Sequence, residues 1–286
     1  MLDLLSGSVD LNDPSYTSRD HEDHILEYLI EHLDINKTCV EVGASDGIAD
    51  SNTLRLRLNY GFKALLIEPP GDHYDKLIQL ADENHKIECC YISHVGENTL
   101  DRLCAKYFDQ IGVLSLDIDA NELEIFENMT IRPQIIIIEY NNQFPPHIDY
   151  QDPANCLFFR HSAKAVSRVA QLKNYSTFYV TANNVILIDN DLKSHSTDKI
   201  FHGSSVEELS PYEKSMTKKY FGLVMTCKQF TIRHIFIRRP NILLRVYALF
   251  LEFLAFIRAI KKGKFYLSYR LDDRVKIQLD KANLYY

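Results

Sequence analysis

Four consecutive isoleucines, Ile135 to Ile138, stand inside the segment Gln134–Tyr140. A strand turns successive side chains to opposite faces, so an unbroken β-branched run of this kind needs cover on both faces. The segment predicts a central strand in a sheet sandwiched between helices. The rest of the chain alternates to match. Strand-like runs at Thr38–Val42, Lys63–Glu68, Lys86–Ile92 and Ile111–Asp117 precede it. Between and around them lie helical patterns at Asp20–Leu33, Thr53–Tyr60, Asp72–Asn84, Thr99–Tyr107, Asn121–Met129 and Ser162–Leu172. Tyr175–Thr181 and Asn184–Ile188, parted by Ala182 and Asn183, predict a tight hairpin that adds an antiparallel edge. The expected fold is α/β: a doubly wound, mostly parallel, seven-stranded Rossmann-like sheet with a C-terminal helical appendage.

Within that alternation the stretch Cys39–Asn52, CVEVGASDGIADSN, joins a buried strand to a helix through a loop with two glycines. Glycines let a backbone pass close to a ligand, and the helix start beyond offers unpaired N–H groups. The spacing G-x-x-x-G, with Ser45 between Gly43 and Gly47, is not the G-x-G-x-x-G of a dinucleotide site. Glu41 and Asp46 would also repel a pyrophosphate. A cationic cofactor without phosphates suits the loop better, and S-adenosylmethionine is one. A nicotinamide-dependent enzyme is the weaker rival, and Ser45 counts against it.

Charge is unevenly placed along the chain. Residues 228–286 hold 13 Lys or Arg against 4 Asp or Glu, whereas residues 1–227 hold 19 against 35, a net of −16. Such an acidic body argues against general nucleic-acid binding, which needs basic surface to displace counterions. The organisation expected is an N-terminal arm (1–19), a cofactor-binding domain (20–190), a linker or lid (191–227) and a basic helical region (228–286). No basic stretch followed by an apolar run opens the chain, so a cytoplasmic protein is expected. The six cysteines form no C-x-x-C pair and read as reduced core residues rather than a zinc or redox motif.

Three stretches, VEVGASDGIADSNTLRL at 40–56, ALLIEPPGDHYDKL at 64–77, and TLDRL followed by LSLDIDANELEIFENM over 99–129, resemble class I S-adenosylmethionine-dependent methyltransferases, and among them the FkbM-like family. The likeness runs from about Thr38 to Ile188. It departs from the family's D-x-E-G-x-E motif at Asp119 and Ala120. The resemblance implies a cofactor set of Glu41, Gly43, Ala44, Ser45, Asp46, Gly47, Ser51, Asn52, Glu68, Pro69, Ser93, Asp117 and Ile118. In that set Glu68, ending the second strand, accepts the ribose hydroxyls, as an acidic residue does in dinucleotide folds. Asp46 or Glu41 would hold the methionyl ammonium, and Ser51 and Asn52 its carboxylate.

A second constellation sits at the ends of two neighbouring strands: Asp117 and Asp119, then Glu139 and Asn141. These are hard oxygen ligands suited to Mg²⁺, so Asp117, Asp119, Glu139 and Asn141 are the candidate metal set, with cofactor or substrate binding without metal as the alternative. Asp119, His147 and His161 are the candidate catalytic groups, the imidazoles being suited to take a hydroxyl proton near neutral pH. The expected activity is O-methylation of a hydroxyl on a sugar, glycan or other small metabolite. A methyltransferase-like module that has lost chemistry is the alternative, motivated by Ala120. Asn241–Lys262 reads as a long helix with Arg238, Arg245 and Glu252 on one stripe, too interrupted to span a membrane. It would pack on the main domain, on a second copy in a homo-oligomer, or on an anionic membrane surface through Arg258, Lys261, Lys262 and Lys264.

Overall fold

A computed structural model describes residues 13–193 apart from Gln143, Pro145, Asn155, Cys156 and Phe158. The basic C-terminal region, and most of the linker before it, lie outside the described residues. The described residues fall into two compact units, one of 13–140 with 166–193 and one of 141–165.

The first unit carries the sheet. Helix α1 (Glu22–His32) leads into β1 (Thr38–Val42); α2 (Leu54–Tyr60), β2 (Lys63–Glu68), α3 (Asp72–Leu77) and β3 (His85–Cys89) follow. Then come α4 (Leu100–Cys104), β4 (Val113–Leu116), α5 (Glu122–Asn128) and β5 (Ile135–Glu139). Helix α6 (Ala163–Leu172), β6 (Tyr175–Val180), β7 (Asn184–Asp189) and the short α7 (Asn190–Lys193) end the described chain. The seven strands lie in the order β3-β2-β1-β4-β5-β7-β6. β1 to β5 are parallel, and β7 runs antiparallel between β5 and β6. The expected seven-stranded doubly wound sheet is the fold observed.

The isoleucine run does what its pattern requires, since Ile135 to Ile138 are all 0% exposed. Ile135 and Ile137 join Cys39, Leu66, Val113 and Ile186 in one core with Ile25, Leu26 and Leu29 of α1 and Leu56 of α2. Ile136 and Ile138 share the opposite face with Val40, Leu65, Leu114 and Leu187, which are equally buried. Each such side chain contributes about 1.5–3 kcal/mol by leaving water. The edge strand β3 is only half-buried, and Cys89 on it is exposed rather than in the core.

Several element boundaries differ from the sequence pattern, some of them for evident local reasons. The helix expected over Asp72–Asn84 stops at Leu77, passes through a 3₁₀ turn at Ile78–Leu80, and becomes extended at Ala81. Asp82 Oδ1 accepts the N–H groups of Asn84 and His85, each at 2.7 Å, in an Asx turn that starts β3 early. At α1, His21 adopts a left-handed backbone (φ 67), so the helix begins at Glu22 rather than Asp20. Glu22 is fully buried and accepts Thr181 Oγ1 at 2.7 Å and Asn184 Nδ2 at 2.8 Å, which ties α1 to the β6–β7 turn. No helix among the described residues is long and apolar enough to cross a membrane.

Candidate active site

The chain steps outward from β1 to β2 to β3, then returns to the other side of β1 as β4. That reversal opens a crevice at the carboxyl ends of β1 and β4, the place where open α/β sheets take ligands. The parallel register sets Val42 beside both Ile67 and Leu116, so the residues leaving β1, β2 and β4 emerge together.

The glycine loop bends over the end of β2, with Gly43 and Ala44 both donating to the Ile67 carbonyl at 2.9 and 3.1 Å. Gly43 has φ 77, and a Cβ there would lie 1.7 Å from the Asp117 carbonyl oxygen. The chain's own β4 end, rather than a ligand, thus occupies the space that a side chain would need. Next along, Ser45 N–H donates to Glu68 Oε2 at 2.8 Å, and Ser45 Oγ lies 3.0 Å from His73 Nδ1. Among the described residues Glu68 Oε1 has no hydrogen-bond partner, and Pro69 beside it is half-buried. Asp46 Oδ1 accepts Ala49 and Ile48 N–H at 2.9 and 3.0 Å, and these bonds hold its carboxyl below the usual range.

The second half of the loop is bound into the sheet. Glu41 is buried in β1 and accepts Ser51 Oγ (2.7 Å), Asn52 N–H (2.8 Å) and Thr53 Oγ1 (2.6 Å). Asn52 Nδ2 donates to Ser115 Oγ of β4 at 2.9 Å, and the buried Arg57 donates to the Gly47 carbonyl. Glu41, Ser51 and Asn52, three of the expected cofactor contacts, therefore form the frame that holds the loop in shape.

At the ends of β4 and β5 the structure brings together Asp117, Glu122 and Glu139, with one carboxylate oxygen from each lying within 4.8 Å of the other two. Burial, the charge of Glu139 and a hydrogen bond with it, then the charges of Asp119 and Glu122, push the Asp117 carboxyl up to about 8. Glu122 is fully buried, and its Oε1 accepts Ala120 N–H at 2.9 Å and Ile118 N–H at 3.2 Å. The sequence had not singled it out, although it matches the last position of the D-x-E-G-x-E motif. Asp119 is exposed, with a left-handed backbone (φ 55).

Ser93 closes a turn, donating its N–H to the Asn98 carbonyl at 3.0 Å. Asn141, His147 and His161 belong to the 141–165 unit. There Asn141 is buried, its N–H donates to the His161 carbonyl and its Nδ2 to the Phe159 carbonyl, each at 2.9 Å. His161 is buried and His147 exposed.

Neither a protein-family model nor a curated protein matches the sequence. Solved structures similar to the chain include the N-terminal domain of EvdMO1 in the presence of SAH and D-fucose, at 11% identity over 64% of this chain and 84% of that one, TM-score 0.40. Another is M. capricolum TrmK in complex with S-adenosyl-homocysteine, at 12% identity over 78% of this chain and 90% of that one, TM-score 0.38. A third is LepI in complex with SAM, at 13% identity and TM-score 0.32, where 53% of this chain spans 42% of the other.

Proposed function

We propose that the chain is an S-adenosylmethionine-dependent methyltransferase, acting on a hydroxyl of a sugar, glycan or other small metabolite, as the FkbM-like resemblance suggests. The observation that carries the reading is Glu68. Its carboxylate stands at the carboxyl end of β2, with one oxygen bonded to Ser45 N–H of the glycine loop at 2.8 Å and the other without a partner among the described residues. A carboxylate so held is set to accept ribose hydroxyls. Bound there, S-adenosylmethionine supplies a sulfonium-activated methyl group. The loop and Glu68 fix its place, and the alignment of acceptor and methyl group supplies most of the rate enhancement. An acceptor hydroxyl would give up its proton as it takes the methyl group, and Asp119, just beyond β4, is the candidate base within the sheet unit. Should a divalent cation take part, Asp117, Glu122 and Glu139 are the carboxylates that would hold it, and it would lower the pKa of the acceptor hydroxyl. The net charge of −16 over residues 1–227 supports a small acceptor rather than a nucleic acid. A cytoplasmic location, with residues 228–286 on an anionic membrane face, belongs to the same proposal.

Calorimetry with S-adenosylhomocysteine tests the reading. Binding by the wild type, weakened about tenfold or more by Glu68→Ala, is the expected result. Absence of binding by the folded wild type would favour the module without chemistry.

A further inference from the structure

The arm before α1 carries a residue that the sequence pattern does not mark. Thr17 Oγ1 donates to the Ser51 carbonyl at 2.9 Å, at the far end of the loop that follows β1. Three residues later, Asp20 Oδ2 accepts Asn183 Nδ2 at 2.5 Å. Asn183 sits in the β6–β7 turn, and its carbonyl accepts the N–H of Tyr140, the residue after β5, at 2.8 Å. Since β4 lies between β1 and β5, the arm from Thr17 to Asp20 crosses over the carboxyl end of β4. Arg19 is thereby carried across the switch point. Its charge is acted on by Asp50, by Asp117 just beyond β4, and by Asp20.

The methionyl end of S-adenosylmethionine has an ammonium and a carboxylate. Asp46, Asp50 and Asp119 offer carboxylates for the first, but the second needs a donor. Ser51 Oγ and the Asn52 amide, the sequence candidates, are bonded to Glu41 and Ser115. Arg55 is engaged by Asp13 and Glu27, and Arg57 is buried against the Gly47 carbonyl. Arg19 differs from both. Its side chain is 66% exposed and its partner Asp50, at 2.7 Å, is 60% exposed. Such a surface pair contributes little to stability and exchanges partners at little cost. A guanidinium is also the side chain that grips a carboxylate through two parallel hydrogen bonds.

We infer, on the reading of the loop as an S-adenosylmethionine cradle, that Arg19 binds the carboxylate of the cofactor's methionyl group, with the arm as the strap that brings it over the cleft. The experiment is calorimetry on the full chain with S-adenosylmethionine and with decarboxylated S-adenosylmethionine. Arg19→Ala raises the Kd of the first about tenfold or more and leaves the Kd of the second unchanged. Arg19→Lys, which keeps the charge but not the fork, recovers part of the loss. Asp50→Asn breaks the same ion pair but leaves the guanidinium, so S-adenosylmethionine binds as well as before or tighter. Equal loss for both compounds in Arg19→Ala, no loss for either, or a matching loss in Asp50→Asn overturns the assignment while leaving the cradle standing. A wild type that binds neither compound overturns the cradle reading and this assignment with it.

Discussion

Glu41 and Asp117 leave neighbouring strands at the same end of the sheet, yet their surroundings are opposite. Glu41 is encircled by donors, two hydroxyls and a backbone N–H within 2.8 Å. Asp117 faces other carboxylates, with Glu122 and Glu139 in reach and Asp119 two residues away. A buried carboxylate that meets its hydrogen-bonding needs inside the chain is a structural part. One crowded by like charge is held in a costly state that a proton, a cation or a ligand relieves. Acidic composition at a strand end therefore says little by itself about function, and the partners decide.

The largest expected effect comes from the backbone that joins the two sectors. Gly43→Ala would place a Cβ 1.7 Å from the Asp117 carbonyl at a positive φ. A loss of about 4 kcal/mol is expected in urea unfolding, with the protein failing to accumulate as the extreme outcome. A stable variant with unchanged ligand affinity would show that loop and β4 are not packed as described.

Glu41→Ala should come next. It strips the acceptor from Ser51, Asn52 and Thr53, at about 3 kcal/mol for groups left buried without it. Glu68→Ala, by contrast, should change stability by under about 1 kcal/mol while weakening ligand binding about tenfold or more, because its carboxylate is half-buried and holds one loop N–H. Comparing the urea midpoints and ligand Kd values of the two variants checks the division, and a reversal of the two profiles would erase it.

The third effect is a pH dependence. In the unfolded chain Asp117 titrates at about 3.9, and in the folded one burial and Glu139 raise it to about 8, so the folded state binds the extra proton. Its contribution to stability is full below the unfolded value, declines as pH rises, and is lost through about pH 8. Allowing for its partial exposure, about 1–2 kcal/mol should disappear between pH 5 and 9 and be absent from Asp117→Asn. Identical slopes for wild type and variant in pH-stepped unfolding would refute the crowding.

Much of the fold was legible in the residue pattern because burial is recorded locally. The isoleucine run, the apolar strands flanked by amphipathic helices, and the hairpin at Ala182–Asn183 each follow from which faces must be dry. Glu68 was legible too, as the acidic residue ending an apolar run after a glycine loop. What the pattern could not carry was partnership. It placed Glu41, Ser51 and Asn52 toward a ligand, while the fold turns them on one another across ten or more residues. It passed over Glu122, whose buried carboxylate matters because β5 delivers Glu139 beside it. It left the arm without a role, since only the meeting of Thr17 with Ser51 and of Asp20 with Asn183 shows that the arm runs from the loop after β1 to the β6–β7 turn. Hydrophobic periodicity is a property of a few adjacent residues and determined the sheet. Hydrogen-bonding and charge partners are joined across the chain by folding, and so the tertiary structure alone decided which carboxylates serve the frame and which crowd one another.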